Sequence, residues 1–186
     1  MKKSIVSKLG IITLLIASML ITSSGDVSAN VNQVIYFSIQ SNTVCGNNSS
    51  ANQYRDQFLF NINNLSDVDS DVTLYLYTKN GTLITDPGIT DNGLVSDIVP
   101  NTQTTIPANS TAQYANLFGY PTTKNLGCDM RPTYGKIVVN SNHGLFLASG
   151  EFSAEKYLVS SSITNSGTYY TKYQSSTVVV NGGEAF

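Results

Sequence analysis

The sequence predicts an all-β fold, a single antiparallel β-sandwich of about nine or ten short strands stapled by one disulfide. Three observations lead there. Apolar residues alternate with period two in segment after segment, which puts them on one face of a strand. Clusters of Asn, Asp, Gly and Pro punctuate those segments as turns do. No stretch sustains the 3.6-residue pattern of a helix.

In chain order, NQVIYFSIQ (32–40) sets Ile35, Phe37 and Ile39 on one face, and DQFLFNIN (56–63) does the same with Phe58, Phe60 and Ile62. In DVTLYLYT (71–78), Val72, Leu74 and Leu76 face inward and leave Thr73, Tyr75 and Tyr77 opposite. Asn80-Gly81 follows as a hairpin turn. TDPGITDNG (85–93) reads as loop with one short strand. TTIPANSTAQYANL (104–117) reads as strand, tight turn at Pro107, and strand. YGKIVVN (134–140) and GLFLASGEFS (144–153) are expected as a hairpin joined by NSNHG, with KYLVSSSI (156–163), TYYTKYQ (168–174) and STVVV (176–180) completing the set.

Residues 1–29 read as a cleaved secretory signal peptide, leaving 30–186 as one β-sandwich domain. Lys2, Lys3 and Lys8 precede the apolar run Ile11–Ile21, and Val27-Ser28-Ala29 offers small residues for cleavage. The run is short of the roughly 20 residues a membrane anchor requires. A short Lys-rich leader of this kind is bacterial in style. The C-terminal TVVVNGGEAF carries no wall-sorting or hydrophobic tail, so no covalent tether is expected.

Loss of Lys2, Lys3, Lys8 and Asp26 would leave 7 basic against 11 acidic residues, a formal charge of −4. No basic stripe answers a phosphate backbone or anionic lipid, so neither nucleic acid nor membrane is an expected partner. Cys45 and Cys128 both lie in the exported part and in loop-like flanks. One bond between them is expected in an oxidising compartment, with free thiols or an intermolecular link as the alternatives.

Taken in order, FLFNINNLSDVDSDVTLYLYTKNGT, TTIPANSTAQY and YGKIVVNSNHGLFLASGEFS resemble the layout of small extracellular or accessory β-sandwich domains. The sensory rhodopsin transducer family is similar in its acidic turn, following strand pair and proline-alanine hairpin. The resemblance spans residues 56–160 and implies a sandwich and, so far as such domains bind ligands, a binding role. It transfers no functional residue, and export with a cysteine pair departs from that intracellular family.

Asp67, Asp69 and Asp71 fill positions 1, 3 and 5 of a calcium loop, but Val72 and Thr78 stand where an EF-hand needs Gly and Glu. That motif is excluded. Ca²⁺ on an end loop, helped by Asp86, Asp91 or Asp97, is the alternative to plain turn chemistry, in which Asn, Ser and Asp bond nearby backbone N–H groups. For catalysis the sequence offers one histidine, His143, in a turn, and no nucleophile motif. Glu151 and Glu155 are in principle a glycosidase pair, but they lie four apart across EFSAE, where a turn is expected to intervene, and surface placement is the plainer reading. Glu151 is otherwise expected to pair with Lys136 across a hairpin. No enzyme activity is expected.

Tyr75, Tyr77, Tyr169, Tyr170 and Tyr173 are the candidate binding residues, because tyrosine offers a flat apolar face with a polar tip. Favourable cross-strand pairing is the plainer explanation of the same residues. STVVV is either an edge that pairs with another subunit or an inner strand. The expected function is that of a secreted, non-enzymatic extracellular structural, matrix or adhesion protein acting through sheet edges and tyrosine-bearing faces. Its partner would be a second copy or a cell-surface glycan or protein. The alternative is a small carbohydrate- or ligand-binding module, with Ca²⁺ steadying the Asp67–Asp71 turn; no other cofactor is expected.

Overall fold

The structure, a computed structural model, describes residues 31–41, 43–49, 52–91, 93–120, 125–162 and 165–186, with the side chains at 47–49, 52, 91, 157–162, 165–171 and 173 outside the description. The expected signal peptide lies outside the described residues. Within them the chain forms β1 (Val34–Ser38), β2 (Gly46–Ser49), β3 (Asn52–Asn64), β4 (Ser70–Thr78), β5 (Leu83–Ile84), β6 (Thr90–Asp91), β7 (Leu94–Val95), β8 (Gln103–Ile106), β9 (Thr111–Gly119), β10 (Pro132–Val139), β11 (Phe146–Ser162) and β12 (Asn165–Val179). Two single 3₁₀ turns, at Cys128–Met130 and Asn181–Gly183, are the helical content among the described residues. No helix there is long and apolar enough to cross a membrane.

The strands form two antiparallel five-stranded sheets. In the first, β1, β10 and β4 lie side by side, and β5 and β8 share the far edge of β4. In the second, β12, β11 and β3 lie side by side, and β2 and β9 share the far edge of β3. The short β6–β7 hairpin is in neither ladder but is anchored to β9, with the Ile89 amide and the Ser96 hydroxyl donating to the Ala115 carbonyl and the Asp97 amide to the Gln113 carbonyl.

The alternation read from the sequence sets the core. Ile35, Phe37, Val72, Leu74, Leu76 and Ile137 are buried from the first sheet, and Phe58, Phe60, Ile62, Tyr114, Phe118 and Phe152 from the second. Across the gap Phe37 stacks on Phe60 at 4.8 Å, and within the second sheet Phe58 packs against Tyr114 and Phe152. Gly135 makes the first contact possible. A Cβ there would come within 2.5 Å of the Phe37 ring and 2.7 Å of the Tyr75 carbonyl oxygen.

Two expected hairpins are corners instead. The turn after Pro107 carries the chain from β8, paired with β4, to β9, paired with β3. NSNHG likewise joins β10 of the first sheet to β11 of the second. A turn sequence fixes the reversal of the chain and leaves the choice of partner strand to the core. The last four expected strands are two long ones, β11 and β12, which pair continuously apart from a bulge between Ala154 and Glu155. The polar residues read as turns there sit in a ladder bonded to β3 on one side and β12 on the other, and that context overrides weak strand propensity. STVVV belongs to β12, whose one strand partner among the described residues is β11.

The disulfide joins Cys45 to Cys128, 83 residues apart, with the Cα atoms at 5.8 Å. It ties the segment ahead of β2 to the segment ahead of β10.

Candidate binding face

Because Val72, Leu74, Leu76, Ile137 and Val139 are buried, strict alternation turns Tyr75 and Tyr77 of β4, and Tyr134 and Lys136 of β10, to the outer side of the first sheet. The antiparallel register makes them neighbours. Tyr77 lies opposite Tyr134, Tyr75 opposite Lys136, and Lys136 in turn opposite Tyr36 of β1. The Tyr77 and Tyr134 rings stack at 4.8 Å with planes 10° apart, and the Lys136 ammonium sits 4.6 Å from the centre of the Tyr75 ring. Such pairs contribute roughly 0.5–1 kcal/mol each. Tyr36 remains 71% exposed and Tyr134 41% exposed.

A cavity of about 480 Å³ lies at the Asn80–Gly81 end of this face. Ser41, Lys79, Asn80, Asp129, Arg131 and Thr133 line it. The hairpin links the two features: Asn80 lines the cavity, and the Tyr134 hydroxyl lies 3.9 Å from where a Cβ on Gly81 would be.

Arg131 is fixed from below. Its Nε donates to the Cys128 carbonyl, and its Nη1 donates to the Thr43 carbonyl and hydroxyl and to Asp56 Oδ2 at 2.8 Å. Thr43 donates its own hydroxyl to the same Asp56 oxygen at 2.7 Å. Asp56 is fully buried, and Oδ1 has no partner among the described residues. Burial raises its carboxyl above the ordinary value, and the Thr43 and Arg131 contacts oppose that shift without cancelling it.

Of the sequence candidates, Tyr75 and Tyr77 lie on this face. Tyr169, Tyr170 and Tyr173 belong to β12 in the other sheet, and their side chains lie outside the described residues. Asp69 accepts from the Ala108 amide, and Asp71 accepts from Gln103 and Thr105 on β8. Asp67 is exposed on the same turn. Asp86 accepts from the Gly88 amide and from Asn116, and Asp97 accepts from the Gln113 amide. Among the described residues no three His, Cys, Asp or Glu gather as metal ligands.

His143 is exposed in its turn. The turn expected between Glu151 and Glu155 does not form, and both lie on one strand. Glu151 pairs with Lys172, not Lys136, and Glu155 pairs with Arg55. Lys136 and Glu151 are separated because β10 and β11 are in different sheets.

Sequence reasoning did not single out Tyr36, Tyr134, Arg131 or Asp56. Asp56 carried a readable signal, since it precedes Phe58, Phe60 and Ile62 in the inward phase of β3. A carboxylate at an inward position needs a partner, and the partner comes from 75 residues away. No protein-family model, curated protein or solved structure matches this chain.

Proposed function

We propose that the chain is a secreted, non-enzymatic adhesion protein of the cell surface or extracellular matrix, making contact through the tyrosine face of the first sheet. The observation that carries this reading is the high exposure of Tyr36 and Tyr134 in a register that groups them with Tyr75, Tyr77 and Lys136. Aromatic side chains left bare as a group mark contact surfaces more often than scattered ones do. The disulfide suits an oxidising compartment outside the cell, in keeping with the leader read from residues 1–29. The test is retention of the mature protein on isolated cell-surface material, comparing wild type with the Tyr36→Ala/Tyr134→Ala double variant. Retention lost in the variant, with its melting temperature unchanged, is the expected result; equal retention sinks the reading.

A structural, self-assembling role has one observation in its favour. β12 has 15 residues with Lys172 as its one charged side chain, and its outer edge, met by the Gln40 carbonyl at Ser176, carries no strand among the described residues; such edges template further strands. Light scattering decides it: mass that grows with concentration supports assembly, and a strict monomer excludes it.

A further inference from the structure

We infer that the tyrosine face and the cavity beside it form one binding site for a neutral oligosaccharide, an inference that rests on the adhesion reading and names its ligand. Tyr134 is stacked by Tyr77 on one side of its ring. Its cross-strand neighbour on the other side, on β1, is Ser38. A serine is too small to cover an aromatic ring, so the second ring face is left open beside the exposed Tyr36. A pyranose has a face of C–H groups and a rim of hydroxyls. It matches a flat ring that carries a polar tip.

The cavity supplies what the rim requires. Lys79, Asn80 and Arg131 bring donors, while Asp129, Ser41 and Thr133 bring acceptors. Hydroxyls both donate and accept, so a mixed lining satisfies them. A charged ligand is matched less well. Lys79 and Arg131 are offset by Asp129 and by Asp56 beneath, leaving no net charge to draw an anion or a cation. Arg131 is also preorganised: its Nε and Nη1 are held by Cys128, Thr43 and Asp56, and no described residue takes Nη2.

Size separates this ligand from a protein partner. At ~200 Å² for a fully bared tyrosine, the exposed parts of Tyr36, Tyr75, Tyr77 and Tyr134 offer on the order of 300–400 Å², against the ~800 Å² per partner of a stable protein interface. The cavity volume, about 480 Å³, falls in the range of roughly 300–1,000 Å³ found for small-ligand sites.

The test titrates the mature chain with cellotetraose, chitotetraose and tetragalacturonate, followed by amide NMR shifts. One or both neutral tetrasaccharides are expected to give saturable shifts at Tyr36, Tyr134, Asn80 and Arg131, and Tyr134→Ala is expected to weaken binding about tenfold. Gln57→Ala, on the outer side of the other sheet, is expected to leave it unchanged. No saturable shift with either neutral sugar at about 10 mM, or preference for tetragalacturonate, overturns the inference. If the Tyr36→Ala/Tyr134→Ala variant loses surface retention while neither neutral sugar binds, adhesion stands and the saccharide falls. If the sugar binds but retention is unaffected in that variant, the site stands and the adhesion reading falls.

Discussion

Asp56 shows how much one residue can commit a fold to. Its carboxylate is fully buried, and Arg131, 22% exposed at its side chain, is the cation that meets it. Since burial raises the folded-state value above 3.8, the folded chain holds this proton more tightly than the unfolded chain. The group's contribution to stability is therefore greatest on the acid side and is lost as pH rises from 3.8 through the raised value. Arg131→Met removes the counter-charge and is expected to cost about 3 kcal/mol at neutral pH. It also pushes the carboxyl further up, so the deficit should shrink as the pH is lowered from neutral to acid and Asp56 takes a proton. Urea unfolding of wild type and variant at both pH values measures the difference, and Asp56→Asn should abolish this group's pH dependence.

At the scale of elements, the stretch between β3 and β4 is held by Asn64 more than by the three aspartates that follow it. Asn64 is 1% exposed. Its Nδ2 donates to the Val68, Ile106 and Pro107 carbonyls, and its Oδ1 accepts from the Ser66 amide and hydroxyl. One side chain thus ties the β3–β4 connection to the β8–β9 corner, at the end where both cross between sheets. Asn64→Ala should cost about 2–3 kcal/mol by chemical denaturation, because it strands buried carbonyls. Asp69→Ala removes a single exposed bond to the Ala108 amide and should cost under about 1 kcal/mol. The turn chemistry of NNLSDVDSD was legible, but the side chain at its centre was not, since three of its bonds reach the far corner or the turn's end.

Over the whole molecule, the disulfide and the Arg131–Asp56 pair act on the same region. Cys45 and Thr43 lie on one segment, Cys128 and Arg131 on the other. Closing 83 residues of chain stabilises by about 4–5 kcal/mol through unfolded-state entropy. The Cys45→Ser/Cys128→Ser variant is therefore expected to melt about 10–15 °C lower by calorimetry. Weaker saccharide binding should accompany that change, because Ser41 on one tied segment and Asp129, Arg131 and Thr133 on the other line the cavity beside Lys79 and Asn80.

The sequence by itself determined the strand class and the inward phase of β1, β3 and β4, and made one bond between the two cysteines the expectation. These follow from period-two alternation and from there being two cysteines, both local or countable properties. It also exposed Tyr75 and Tyr77 as an outer pair. Only the tertiary structure decided that Tyr36, Tyr134 and Lys136 join them, that the turns at Pro107 and NSNHG are corners, and that Arg131 meets Asp56. The reason is physical: alternation fixes which face a side chain takes, whereas neighbours across strands depend on which strands pair. That choice is made by burying two apolar faces against each other, over separations no local pattern encodes.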